Sequence, residues 1–172
     1  VLGAANAVAD RGGEVAHIPV DWDGNVDVEG LRERMNESVS LVSVMHANNE
    51  TGVIADLQSI ASVVADYPAL FHVDAVQTAG RLPIDVEELH VDMLTLSGHK
   101  MMGPKGAAAL YLRRGLKLHP LLSGGHQERG LRGGTEVVWA IAGLGRAAQF
   151  AKEHAQSEYE RLEELRDVLW NG

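Results

Sequence analysis

The chain has 172 residues, 45% hydrophobic and 23% charged, which suits one soluble globular domain with room for a real core. Its 24 acidic and 15 basic residues leave a net charge of −9, so a nucleic-acid partner is not expected. Cysteine is absent, which excludes disulfides and thiolate metal sites, and no apolar run nears the roughly 20 residues that span a bilayer.

In chain order, Leu2 to Arg11 is predicted to be a helix stopped by Gly12-Gly13, because glycine suits a helix C-terminus. Glu14 to Val20 alternates like a strand, with a turn at Asp23-Gly24. Asp27 is placed to cap a short helix whose Val28, Leu31 and Met35 share one face. Leu41 to Met45 reads as a buried strand leading into the polar loop His46-Ala47-Asn48-Asn49-Glu50. Asp56 then caps a helix carrying Leu57, Ile60, Ala61 and Val64. Leu70 to Val73, ending at Asp74, and Met93 to Leu96, ending at Ser97, are further strands, as is Ala107 to Leu112. A glycine-rich loop, "SGGHQERGLRGGTE", precedes a long helix from about Val137 onward, amphipathic late in its course through Leu162, Leu165 and Leu169. Strands alternating with helices predict an α/β fold with a mostly parallel sheet. No leader is visible, so a cytoplasmic location is the default. The opening at Val1 and the stop at Gly172 both fall beside helical patterns, and the chain is expected to be part of a larger protein.

In open parallel sheets ligands gather beyond the carboxyl ends of the strands. Three polar clusters fall there: Asn48-Asn49-Glu50, Asp74 with Gln77, and Ser97-Gly98-His99-Lys100. The chain has four lysines (Lys100, Lys105, Lys117 and Lys152), and one of them sits at the mouth of a buried strand. A lysine in a poorly hydrated site has a lowered pKa and attacks carbonyls to form a Schiff base. Pyridoxal phosphate needs that amine, a carboxylate for its pyridine nitrogen and donors for its phosphate. Lys100, Asp74 and the pair Ser97 and His99 supply those groups, although Asp74 alone reads equally as a turn cap. His72 is expected on the opposite side of its strand, and Lys105 as a plain turn lysine. The segment "GPKG" lacks P-loop spacing, and neither H-E-x-x-H nor G-x-S-x-G occurs, so no nucleotide loop, zinc site or hydrolase elbow is expected. The glycine-rich loop with Arg129, Arg132 and Thr135 reads either as an anion-binding loop or as a flexible connection.

"HANNETG", "HVDAVQTAGRLPIDV", "VDMLTLSGHKMMGPKG" and "GGHQERGLRGGTE" resemble, in order, the motifs of cysteine desulfurases. These belong to the class V aminotransferase group of fold type I pyridoxal phosphate enzymes, and "RGLRGGT" resembles the subgroup serving nitrogen fixation and iron–sulfur assembly. The resemblance implies the three-layer α/β/α large domain of that fold, incomplete at both ends. Residues 1–150 would be its central part, and residues 151–172 a helical stretch leading toward a small domain.

It implies, too, that Lys100 is the Schiff-base lysine and proton carrier and that Asp74 pairs with the pyridine nitrogen. Gln77 would meet the cofactor's phenolic oxygen, with Asn49 near that oxygen and the substrate carboxylate. Ser97 and His99 would bind the phosphate, and Thr135 would reach the phosphate of a neighbouring subunit, which makes the protein a homodimer. The implied reaction turns L-cysteine into L-alanine and leaves a persulfide on an enzyme cysteine for a sulfur-acceptor or scaffold protein. The chain departs from the family in having no cysteine. The nucleophile and a substrate-carboxylate arginine would lie beyond Gly172, and a cofactor-stacking histidine just before Val1. This stretch alone is therefore not expected to turn over cysteine. Another enzyme of the same class (an aminotransferase, a selenocysteine lyase or a kynureninase-like hydrolase) and a non-catalytic scaffold are the alternatives.

Overall fold

The computed structural model describes residues 1–172. Its helices are α1 (Leu2–Ala9), α2 (Val28–Arg34), α3 (Leu57–Val64) and α4 (Val138–Asn171). Its strands are β1 (Leu41–Met45), β2 (Leu70–Asp74), β3 (Met93–Ser97) and β4 (Ala108–Leu112), with 3-10 turns at Gly98–Met101 and Gln127–Gly130. Two compact units emerge: Val1–Thr78 with Ile84–Leu96, and Ala79–Pro83 with Ser97–Gly172.

The first unit is α/β, as expected. β1 pairs parallel with β2, Met45 opposite Asp74, and β2 pairs parallel with β3, Asp74 opposite Thr95. Alternation along the strands sends Val42, Val44, Phe71, Val73 and Leu94 to one buried face. α3 packs against β2 and contributes Leu57, Ile60, Val63 and Val64, of which Ile60 and Val63 are fully buried. Both caps form where the sequence places them. Asp27 accepts from the Gly30 N–H at 2.9 Å, while Asp56 accepts from the Ser59 N–H at 3.1 Å and the Ser59 hydroxyl at 2.6 Å.

Two expectations are corrected. Glu14 to Val20 forms no strand; only Val20 pairs, in an isolated antiparallel bridge with Val26. Alternation alone cannot supply a partner, and Pro19 has no N–H to offer one. The first helix ends at Ala9 rather than Arg11, closed by the Gly13 N–H on the Val8 carbonyl at 3.0 Å with Gly12 at φ +86°.

The second unit holds β4, both 3-10 turns and α4. α4 seats its first half through Ala140, Ala147 and Ala151, all buried, and packs against the turn Gly98–Met101. That approach requires small residues. A Cβ on Gly103 would lie 2.9 Å from the Gly98 carbonyl oxygen and 3.0 Å from the Ala147 Cβ. Past Ala151 the helix is almost wholly exposed. No helix is long and apolar enough to cross a membrane.

Candidate active site

Strand ends position the polar groups of the first unit. β1 gives way to His46, whose N–H donates to the Asp74 carbonyl at 2.9 Å, so the loop after β1 begins alongside the end of β2. Within that loop Asn48 has a structural task. Its Oδ1 accepts from the N–H groups of Glu50 at 2.8 Å and Thr51 at 3.1 Å, which holds a tight Asx turn. Asn49 is thereby left exposed, its side chain without a protein partner.

Asp74, the last residue of β2, is half-buried. Its Oδ1 accepts a single bond, from the Val76 N–H at 3.1 Å. The capping role read from the sequence is therefore present but modest: it occupies one oxygen and leaves the other open. No regular helix follows, only a turn in which the Thr78 N–H donates to the Ala75 carbonyl at 3.0 Å. Gln77 lies half-buried in that turn.

In the second unit Ser97, His99 and Lys100 fall within one turn. Ser97 Oγ and His99 Nδ1 are 2.9 Å apart, a hydrogen bond that ties a hydroxyl and an imidazole together as a potential anion-binding pair. The half-buried Lys100 accepts from Arg81 Nη2 through its carbonyl at 3.4 Å, while its amine has neither a hydrogen bond nor an ion pair. The turn is stopped by Met102 in the left-handed region at φ 61°, and the Gly103 N–H closes on the Gly98 carbonyl at 2.8 Å. Lys105 is exposed, as a turn lysine should be. Thr135 is exposed in the glycine-rich loop, with no hydrogen bond to Ser97 or His99. That loop is shaped by the Gly134 N–H on Gln127 Oε1 at 3.1 Å and the Gly133 N–H on the Leu122 carbonyl at 2.8 Å.

One histidine departs from the sequence reading. His72 does not face away from Asp74: two residues apart on one strand, they share the same face. His72 Nδ1 lies 2.7 Å from Ser43 Oγ and its Nε2 2.8 Å from Thr95 Oγ1, so the ring bridges three strands. Burial pulls its pKa below the ordinary value, and the negative charge of Asp74 offsets part of that. The matching parity of residues 72 and 74, with hydroxyls facing them on both neighbouring strands, was the signal in the sequence. His46 is buried, its Nδ1 has no partner, and burial lowers its pKa as well.

A family model described as aminotransferase class-V matches residues 1–169. The chain is 46% identical over 169 residues to "Cysteine desulfurase IscS" of Dictyoglomus turgidum, covering 98% of this chain and 43% of that protein. It is 48% identical over 162 residues to "Cysteine desulfurase" of Gluconacetobacter diazotrophicus, covering 94% and 40%. Among solved structures, a "NIFS-LIKE PROTEIN" superposes with a TM-score of 0.96 at 40% identity, over 99% of this chain and 47% of that one. "SspA in complex with cysteine" gives 0.84 at 38% identity, over 87% and 44%. The chain thus spans less than half the length of these relatives.

Proposed function

Because the chain belongs to the class-V aminotransferase family, we propose that it is the cofactor-binding part of a pyridoxal phosphate-dependent cysteine desulfurase. The carrying observation is the half-buried Lys100, its amine without a partner in the turn that follows β3, in a chain so similar to proteins named cysteine desulfurase. The chemistry of the donor set fits the cofactor. A partnerless amine suits covalent attachment to an aldehyde, a half-buried carboxylate with an open oxygen suits a protonated ring nitrogen, and a hydroxyl–imidazole pair suits a phosphate.

When bound, pyridoxal phosphate supplies an electron sink for the pair left behind as the substrate's α-proton departs. Lys100 would hold the cofactor through Nζ, and the same nitrogen, when free, would take the substrate's α-proton and return a proton. Asp74 would keep the pyridine nitrogen protonated by meeting that cation with a carboxylate. Gln77 and Asn49 would serve the phenolic oxygen, with Asn49 also serving the substrate carboxylate. Ser97 and His99 would bind the phosphate, and Thr135 would do so for a second copy of the chain, which makes the working unit a homodimer.

L-cysteine gives up its sulfur to an enzyme thiol, which becomes a persulfide while the carbon skeleton leaves as L-alanine. No residue among these 172 is a cysteine, so that thiol comes from elsewhere in the protein. An acceptor or scaffold protein of iron–sulfur assembly then takes the sulfur, in the cytoplasm. We assign residues 1–150 to the large domain and 151–172 to the helix leading out of it.

The test uses the full-length protein. Borohydride reduction followed by mass spectrometry is expected to find the cofactor fixed to Lys100, and the protein to form alanine from cysteine. Lys100→Ala should abolish both. Alanine formation that survives Lys100→Ala, or a wild-type protein that forms none from cysteine, overturns the reading.

A further inference from the structure

The row Ser43, His72, Thr95 is unexplained by the roles above. It crosses three parallel strands on the face that carries Asp74, and Thr95 is the register partner of Asp74 itself. A neutral imidazole has one N–H and one lone pair. With a hydroxyl at each nitrogen, His72 therefore donates to one of Ser43 and Thr95 and accepts from the other. The ring is fully satisfied while uncharged. Thr95, the register partner of Asp74, has its hydroxyl turned to the ring.

We propose that His72 is a positioning residue for the cofactor site: held neutral between Ser43 and Thr95, it leaves the charge of Asp74 for the cofactor's ring nitrogen. The proposal rests on the assignment of Asp74 above. β1 presents Leu41, Ser43 and Met45 on this face and β3 presents Met93 and Thr95, none of which titrates. On His72's own strand Asp74 raises its pKa. Burial outweighs that and favours the neutral ring. Were the ring to take a proton, both nitrogens would donate, the two hydroxyls would accept, and the row would survive. The new cation beside Asp74 would then compete with the cofactor's own. His72 would thus act on cofactor affinity without touching the cofactor, and only through Asp74.

The experiment measures pyridoxal phosphate affinity of the full-length protein by absorbance titration across pH about 5 to 8, where histidine changes charge. Wild type, His72→Gln, Thr95→Val, Asp74→Asn and the Asp74→Asn/His72→Gln double variant are compared. Wild-type affinity is expected to fall with acid by about tenfold more than that of His72→Gln, the size of an ordinary coupling between two sites. Thr95→Val deprives the ring of one partner and changes the same pH dependence, which carries the test should His72→Gln fail to fold. In the Asp74→Asn background His72→Gln should change nothing further. Imidazole NMR of the cofactor-free protein should show one neutral tautomer of His72, whose pKa falls further in Asp74→Asn. If Asp74→Asn weakens binding but His72→Gln has the same effect in both backgrounds, the proposal is wrong while the role of Asp74 stands. If Asp74→Asn leaves affinity unchanged, the role of Asp74 fails and takes the proposal with it.

Discussion

Asp92 and Phe71 clasp each other across the start of two parallel strands. The Phe71 N–H donates to the buried Asp92 carboxylate at 2.8 Å, and the Asp92 N–H returns to the Phe71 carbonyl at 3.0 Å. Asp92 is 8% exposed and Phe71 2%, so water cannot replace either bond. Asp92→Leu removes the acceptor and leaves the Phe71 N–H buried without a partner. The expected loss is about 1–3 kcal/mol of unfolding free energy, read by urea denaturation of the intact protein. A loss within about 0.5 kcal/mol of zero would mean that the clasp is ornamental.

Ile60 sits at the centre of the α3 face and is fully buried. Ile60→Ala should open a cavity against β2 and cost about 2–5 kcal/mol. Gln58 on the same helix is exposed, and Gln58→Ala should stay within about 0.5 kcal/mol. Similar effects at the two positions would contradict the packing described.

The pH dependence of stability has a defined sign. His46 and His72 both have folded-state pKa values below the ordinary 6.5, in each case chiefly through burial. The unfolded chain therefore binds protons first as the pH falls. Stability is complete above about 6.5 and declines from there down to the folded pKa values, below which this contribution stays lost. Asp56 acts in a lower window: its pKa is depressed, mainly by the Ser59 hydroxyl, so its contribution holds above 3.8 and is lost as pH falls through the folded value. Denaturation midpoints of the cofactor-free protein that stay level between pH about 7 and 5 would refute the histidine part.

Met102 holds a left-handed backbone at φ 61° with its side chain 74% exposed. That conformation costs a side-chain-bearing residue about 1–2 kcal/mol. Glycine removes the strain and adds about 0.5–1 kcal/mol of unfolded-chain entropy. Met102→Gly should therefore stabilise the protein by about 0.5 kcal/mol, detectable as a higher urea midpoint. A lower midpoint would show that the Met102 side chain contributes contacts beyond those seen.

Much of the fold is legible in the sequence. β1 lies where its apolar run before a polar loop puts it, and Asp27 and Asp56 cap the helices they precede, because these signals are local. Glu14 to Val20 misled for the converse reason: a strand exists only when a second one pairs with it, and alternation is silent about partners. Lys100, Asp74, Ser97 and His99 stood out because a polar residue that ends an apolar run is conspicuous. Ser43 and Thr95 did not, since a hydroxyl inside a strand reads as a solvated side chain until the register sets it against an imidazole. Asn48 and Asn49 look alike in sequence; only the backbone bonds to Asn48 separate the residue that builds the loop from the one left available.

The uneven seating of α4 has a consequence in time. Its first half is held by Ala140, Ala147 and Ala151, whereas the exposed stretch beyond depends on surface pairs such as Arg161–Glu158 at 2.8 Å and Arg166–Glu163 at 3.4 Å. Fully exposed pairs of that kind add little, and a helix that lacks tertiary packing is marginal in water. Amide protons within this one unbroken helix should therefore exchange on two clocks. Those near Ala147 would keep pace with the turn that carries Lys100, while those near Leu165 would be replaced by deuterium far sooner.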